Sequence, residues 1–295
     1  MFLIRLVIAF VLGLSLLPLP DTAFAAEGMS PAEVQQRKIN LAGKQRMLSQ
    51  QILMFGCMAS YGVHHDTTTT SAQAAIAEFD HVLGALRKGD EELGLPLERN
   101  ATVLKALAKV EHLWPRFRGT AQALIEGAPE ELGPLREMAP DLLTHMNAAV
   151  QEMVADSNAG GVPELKRAID VAGRQRMLIM KMTAEVCLVK SGLSPDVDLS
   201  RASKTMNLFD TALYDLQYGN IGDDVIEAPS WEIAEMLKLV EAQWDVMRGD
   251  IEAVLMSPNP TVEEMDAMMK TAIQLLTDMN ETVWMYENIR TCGLT

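Results

Sequence analysis

Apolar residues recur at three- and four-residue spacing through eight long segments of the chain, the periodicity of helices that bury one face. Start signals sharpen the edges of these segments. Ser30-Pro31-Ala32-Glu33 is a capping box with proline at the first helical position, which predicts a first helix running to about residue 61. A polar loop is expected over 64–70, followed by helices over 71–92, 99–126 and 130–156, the last kinked or broken at Pro134 and Pro140. The order then returns as helices over 163–191, 199–218, 231–256 and 261–290, the last opened by a second capping box, Thr261-Val262-Glu263-Glu264. Short connections between consecutive helices predict an up-and-down four-helix bundle from each set of four. The fold class expected is therefore all-α.

The return is a repeat of residues as well as of elements. Ile39-Asn40-Leu41-Ala42-Gly43-Lys44-Gln45-Arg46-Met47-Leu48 comes back as Ile169-Asp170-Val171-Ala172-Gly173-Arg174-Gln175-Arg176-Met177-Leu178, an offset of 130. The same offset carries Cys57 to Cys187, Phe79-Asp80 to Phe209-Asp210, Trp114 to Trp244 and Arg118-Gly119 to Arg248-Gly249. Towards the end the register slips by three, so that Leu142 to Asn147 matches Leu275 to Asn280, as a small loop insertion would produce. The chain thus reads as a duplication with its seam at Asn158-Ala159-Gly160-Gly161, giving one copy over 26–157 and a second over 162–295. Four antiparallel helices return the chain to the end where it started, so the two first helices can lie parallel. Such a chain imitates a twofold dimer within one polypeptide, with equivalent residues facing each other across a pseudo-twofold axis.

Composition narrows the setting. At 295 residues and 48% hydrophobic content the chain can bury substantial cores, and its 5% aromatics beside abundant Met, Leu and Ala suit close-packed helices. Residues 1–25 combine an early Arg5, an apolar run from Leu6 to Leu17, Pro18 and Pro20, and a small-x-small site at Ala23-Phe24-Ala25. This pattern predicts a cleaved signal peptide and a periplasmic or secreted mature protein with no membrane span after cleavage. The net charge of −15 argues against nucleic acid as a partner, so any bound anion has to be captured by a local basic site.

One such site is suggested by helical spacing around Arg46. Ala42 and Gly43 lie one turn before it, and Ser49 and Gln50 one turn after, a small and polar stripe that permits close approach of another backbone. If the equivalent stripe of the second copy is that neighbour, Arg46 and Arg176 converge. Two guanidinium groups about 6 Å apart would repel by roughly 3 kcal/mol at an effective dielectric near 20, which a bound planar oxyanion would offset. The other reading open at this level is that each Arg pairs with local carboxylates on a solvated face.

The strings INLAGKQRMLSQQ and IDVAGRQRMLIMK resemble the first-helix signature of the type IV pili methyl-accepting chemotaxis transducer N-terminal (PilJ-type) sensor family. They are also similar to the periplasmic motif of NarX/NarQ-type nitrate/nitrite sensor kinases. The resemblance implies four-helix sensor modules that pair through helix one and hold nitrate or nitrite at the twofold axis. Carried over by position, the anion falls to Arg46 and Arg176, with Gly43, Gly173, Ala42 and Ala172 permitting close approach and Asn40 and Asp170 beside them. Three departures stand out: the motif Asn kept as Asn40 becomes Asp170, Ser49-Gln50 becomes Ile179-Met180, and Lys44 and Arg174 replace a small residue.

Other chemistry finds less support. Glu78-Phe79-Asp80-His81 has the Glu-x-x-His spacing of di-iron bundles, but the second copy places Leu208 and Thr211 there. No nucleophile triad, phosphate loop or Cys-x-x-Cys stands in a suitable context, so no enzyme activity, metal or cofactor is expected. The Met-rich segment 265–279 reads as a core stripe first and an adaptable partner surface second. Cys57 and Cys187 either bridge across the pseudo-dyad or remain two buried thiols, with Cys292 free near the end of the chain. Two functions follow: an anion-binding sensor that reports to a membrane receptor or another exported protein, or a helical interaction module without a small-molecule ligand.

Overall fold

The computed structural model describes residues 28–289; the expected signal peptide, Arg290 and Cys292 lie outside the described residues. Eight helices follow in order: α1 (Pro31–Ser60), α2 (His65–Lys88), α3 (Ala101–Ile125), α4 (Leu132–Val154), α5 (Pro163–Ser191), α6 (Pro195–Tyr218), α7 (Trp231–Met256) and α8 (Val262–Glu287). No strand occurs among the described residues. Helices α1–α4 pack as one bundle and α5–α8 as another, and the two bundles meet mainly along α1 and α5.

The local chemistry that starts and stops these helices is legible residue by residue. Ser30 Oγ accepts from the Glu33 amide at 3.3 Å while Glu33 Oε2 accepts from the Ser30 amide at 2.6 Å, so both halves of the first capping box form. The second does the same, at 2.7 Å and 3.1 Å between Thr261 and Glu264. Pro140 sits inside α4 without ending it, and the break expected near Pro134 is instead a short 3-10 turn over Pro129–Glu131 that runs into α4.

One expected loop is helical. Residues 65–70 belong to α2, preceded by His64 in the left-handed region at φ 43°. Thr68 Oγ1 lies 3.1 to 3.2 Å from the carbonyls of Val63, His64 and His65, which share its one hydrogen as acceptors, and is fully buried, and Asp66 sits in the first turn where the helix dipole favours an acid. Polarity misled here because Thr68 turns inward to bond the backbone instead of hydrating, while Thr67 and Thr70 stay exposed on the same helical turn. The equivalent α6 likewise starts four residues before expectation, at Pro195.

The duplication extends into the connections. The turn after α2 is closed by paired backbone bonds between Asp90 and Leu95, and the turn after α6 by the same bonds between Asn220 and Val225. Each core repeats an aromatic contact: Phe79 stacks on Trp114 with ring centroids 3.9 Å apart, and Phe209 meets Trp244 at 4.4 Å. In each copy the indole N–H donates to the aspartate after that phenylalanine, Asp80 or Asp210. Met265, Met268, Met269 and Met279 are all buried, so the Met-rich segment is a core stripe.

Whereas most of the other helices bury one face, α1 and α5 are buried over most of their circumference, because each packs both within its own bundle and against the other. A disulfide joins Cys57 on α1 to Cys187 on α5, with Cα atoms 6.2 Å apart. Equivalent residues therefore meet across the interface, as parallel packing about a pseudo-dyad requires.

Candidate functional site

Fourteen residues before the cysteines, roughly four helical turns along the axis, α1 and α5 approach through glycine. A Cβ placed on Gly43 would lie 3.3 Å from Arg46 Nη2 and 3.5 Å from Arg176 Nη2. On Gly173 it would lie 3.4 Å and 3.6 Å from the same two atoms, in mirrored order. Both guanidinium ends thus crowd one small space between the glycines, which bounds the separation of the two Nη2 atoms at about 7 Å and their mutual repulsion at no less than about 2 kcal/mol for an effective dielectric of 20. Ala42 and Ala172, one residue before the glycines, are fully buried. Arg46 and Arg176 are 0% and 3% exposed.

Each arginine is held by the same two positions of the repeat, one from each copy. Arg46 donates from Nη1 to Asn147 Oδ1 of α4 at 2.8 Å and from Nη2 to the Asp170 carbonyl of α5 at 3.2 Å. Arg176 donates from Nη1 to Asn280 Oδ1 of α8 at 3.2 Å, and from Nη2 to both the carbonyl and Oδ1 of Asn40 on α1, at 3.2 Å and 2.8 Å. The Nε atoms of both arginines are buried and without a partner.

Symmetry ends at the side chain of residue 170. Asp170 Oδ1 lies 2.7 Å from Arg46 Nη1, an ion pair off the line of the N–H bonds, while Oδ2 accepts from Gln151 at 2.9 Å and from Arg167 at 3.2 Å. Asn40 instead donates to Glu287, which is also bonded by Arg37 at 2.9 Å. Arg46 therefore faces a carboxylate, whereas the hydrogen bonds of Arg176 go to neutral groups alone. Of the two axial arginines Arg46 alone has a carboxylate beside it, and that carboxylate is shared with Arg167, while Glu287 acts on Arg176 from beyond Asn40.

The electrostatics follow from this asymmetry. Burial first, and the Arg46 charge second, push the Arg176 guanidinium down to about 9. Burial pushes the Asp170 carboxyl up, but the Arg46 charge and the bond from Gln151 outweigh it and hold the group below the usual carboxylate range. The two departures at residues 44 and 174 differ in effect. Lys44 turns outward to an ion pair with Glu78, whereas Arg174 is largely buried and burial lowers it, with Asp170 opposing.

The residues singled out in the sequence thus share one place: Arg46, Arg176, Gly43 and Gly173 meet at the axis, and Asn40 and Asp170 bond the arginines from across it. The reading that placed both arginines on a solvated face is overturned, because neither is exposed. Sequence reasoning missed Asn147 and Asn280, which orient the guanidinium groups from α4 and α8. Their signal was present, since both end the repeated Leu-Leu-Thr-x-Met-Asn string, but nothing local says that this asparagine faces α1 or α5.

A family model described as type IV pili methyl-accepting chemotaxis transducer N-terminal domain matches the chain twice, over residues 30–134 and 164–268. No curated protein matches it.

Proposed function

The chain belongs to the family of type IV pili methyl-accepting chemotaxis transducer N-terminal domains, and from that premise we propose that it is a sensor that captures one small monovalent oxyanion between α1 and α5 and signals through a partner protein. Two modules, over 26–157 and 162–295, each supply half of the site. The carrying observation is the convergence of Arg46 and Arg176 beside Gly43 and Gly173 with a single carboxylate for two buried guanidinium groups. A small anion offsets the repulsion between the two guanidinium groups, and a planar one matches two rigid forks of donors. Nitrate or nitrite satisfies both conditions, in keeping with the motif likeness to NarX/NarQ-type nitrate/nitrite sensor kinases.

Signalling follows from differential binding. An anion stabilises the arrangement of α1 and α5 in which both guanidinium groups point at the axis, and it shifts the population by as much as its affinity differs between arrangements. The readout surface is presented to a membrane receptor or another exported protein, with the mature chain in the periplasm or secreted. No described helix is long and apolar enough to cross a membrane.

Isothermal titration with sedimentation analysis tests the reading. One nitrate or nitrite should bind per monomeric chain. Arg176→Ala, which strands no carboxylate, should weaken binding by about ten- to a hundredfold, the worth of a charged hydrogen bond. Arg46→Ala/Arg176→Ala should abolish it, with effects that do not add because both residues serve one ligand. Two anions per chain, binding by a dimer alone, or wild-type affinity in the double variant would each overturn the site. One observation favours the second reading, a helical interaction module without a ligand: Asp170 already occupies Arg46. That reading expects no anion to bind or to raise the melting temperature.

A further inference from the structure

The two halves of the duplication also differ in charge at a second place, where α4 of the first copy packs near α5 and α6 of the second. A cavity of about 160 Å³ opens there, walled by Leu53, Leu143 and Leu188 and edged by Arg136, Lys181, Glu185 and Arg201. Arg136 holds the fully buried Asp198 through Nε and Nη2, at 2.7 Å to 3.1 Å, and its Nη1 takes no part in those bonds. Lys181 bonds Glu185 Oε1 and Thr205. Glu185 is 4% exposed, and its second oxygen, Oε2, is buried with no partner. Arg201 lies at the rim, 38% exposed, 3.8 Å from Asp198.

The repeat supplies an internal control. At the equivalent positions Lys181 becomes Gln51, Glu185 becomes Phe55, Asp198 becomes Thr68, Arg201 becomes Ser71, and Arg136, in the register of the fourth helices, becomes Met269. Phe55, Thr68 and Met269 are all buried, so the same fold packs this corner without ions. Buried ion pairs are generally no more stabilising than apolar residues of similar volume. Folding therefore does not require the charged version, and an unsatisfied carboxylate oxygen beside a cavity weighs against a purely structural network.

We propose that this cavity binds a small aliphatic α-amino acid as its zwitterion, the carboxylate held by Arg136 and Arg201, the ammonium by the Glu185 carboxylate, and the side chain against the leucine wall. Three cations and Glu185 edge the cavity, with the buried Asp198 behind Arg136, so the ligand carboxylate meets the surplus positive charge and its ammonium meets Glu185. Burial raises the Glu185 carboxyl above its ordinary range, and a bound ammonium offsets that cost. The size is right: a cavity near 150 Å³ accommodates a molecule about as large as benzene, which sets the scale at about six non-hydrogen atoms, the size of L-alanine. The site is independent of the pseudo-dyad, since it shares none of its residues.

Titration of the full chain with glycine, L-alanine and L-valine, followed by calorimetry and ligand-observed NMR, tests it. L-Alanine or L-valine should bind once per chain. N-acetyl-L-alanine, which lacks the ammonium, and L-alaninamide, which lacks the carboxylate, should each bind about tenfold more weakly or worse. Glu185→Gln, near-isosteric, should weaken L-alanine about tenfold while leaving propionate unchanged; Arg201→Ser, which copies Ser71 at a largely exposed position, should weaken both. Binding should persist in Arg46→Ala/Arg176→Ala, and nitrate should not compete. Absence of saturable binding by all three amino acids, propionate binding as tightly as L-alanine, or full affinity in Arg201→Ser would overturn the proposal.

Discussion

Asp170→Asn separates a ligand site from a self-neutralised one, because the repeat shows in advance that an amide fits: Asn40 occupies the equivalent place beside Arg176. The substitution keeps the shape, retains a carbonyl oxygen to accept from Gln151, and deletes the one carboxylate at the axis. Charge centres about 4 Å apart attract by roughly 4 kcal/mol at an effective dielectric near 20, and breaking a buried pair by removing one partner costs about 3–5 kcal/mol. In nitrate-free buffer the variant should therefore lose about 3–4 kcal/mol of unfolding free energy, a fall of roughly 10 °C in melting temperature for a chain of this size. The pH dependence carries a sign. Asp170 has its folded value depressed, so its contribution is full above the unfolded value near 3.9 and is lost as pH falls through the folded value. The gap between wild type and variant should accordingly close in acid. The decisive arm is nitrate, exchanged for chloride at constant ionic strength. Raising the charge at the axis by one should tighten nitrate binding by tenfold or more, and at a hundred times the dissociation constant the ligand should restore about 2.7 kcal/mol. Calorimetry and denaturant titration of both proteins measure these quantities. A loss below about 1 kcal/mol would refute the electrostatic argument, and nitrate stabilising the variant no more than wild type would refute the anion site.

Removing the Cys57–Cys187 bridge releases a loop spanning 130 residues in the unfolded chain, worth about 5 kcal/mol in the chain-entropy model, so Cys57→Ala/Cys187→Ala should melt roughly 10–15 °C lower in scanning calorimetry, while reductant should not shift the variant further. Two interior helical glycines should respond oppositely to alanine: Gly84→Ala meets no atom within 4 Å and should stabilise by up to about 1 kcal/mol, whereas Gly56→Ala would place its methyl 2.9 Å from Leu124 Cδ2 and should cost about 1–3 kcal/mol. Equal effects at the two sites in chemical unfolding would count against the packing described.

Much of the architecture is local or repeated information, and such information is readable from residues in order. The periodicity of apolar positions, the capping boxes at Ser30 and Thr261 and the offset of 130 determine eight helices in two bundles. The small residues Gly43 and Gly173 mark where α1 and α5 approach, which brings Arg46 and Arg176 together. What lies across an interface is a different matter. That Asn147 and Asn280 orient the arginines, that Asp170 occupies Arg46 from the other copy, and that Cys57 and Cys187 bridge instead of remaining thiols all depend on distances between elements far apart in the chain. The start of α2 was hidden for a related reason: Thr68 reads as polar surface until its hydroxyl is seen to cap a buried turn. The charged cavity beside α4 was equally invisible, because its residues are scattered over four helices and only packing assembles them. Periodicity reports which face of a helix is buried, whereas the partner that the face meets is set by the tertiary arrangement, in which side-chain volume and charge are balanced jointly across all eight helices.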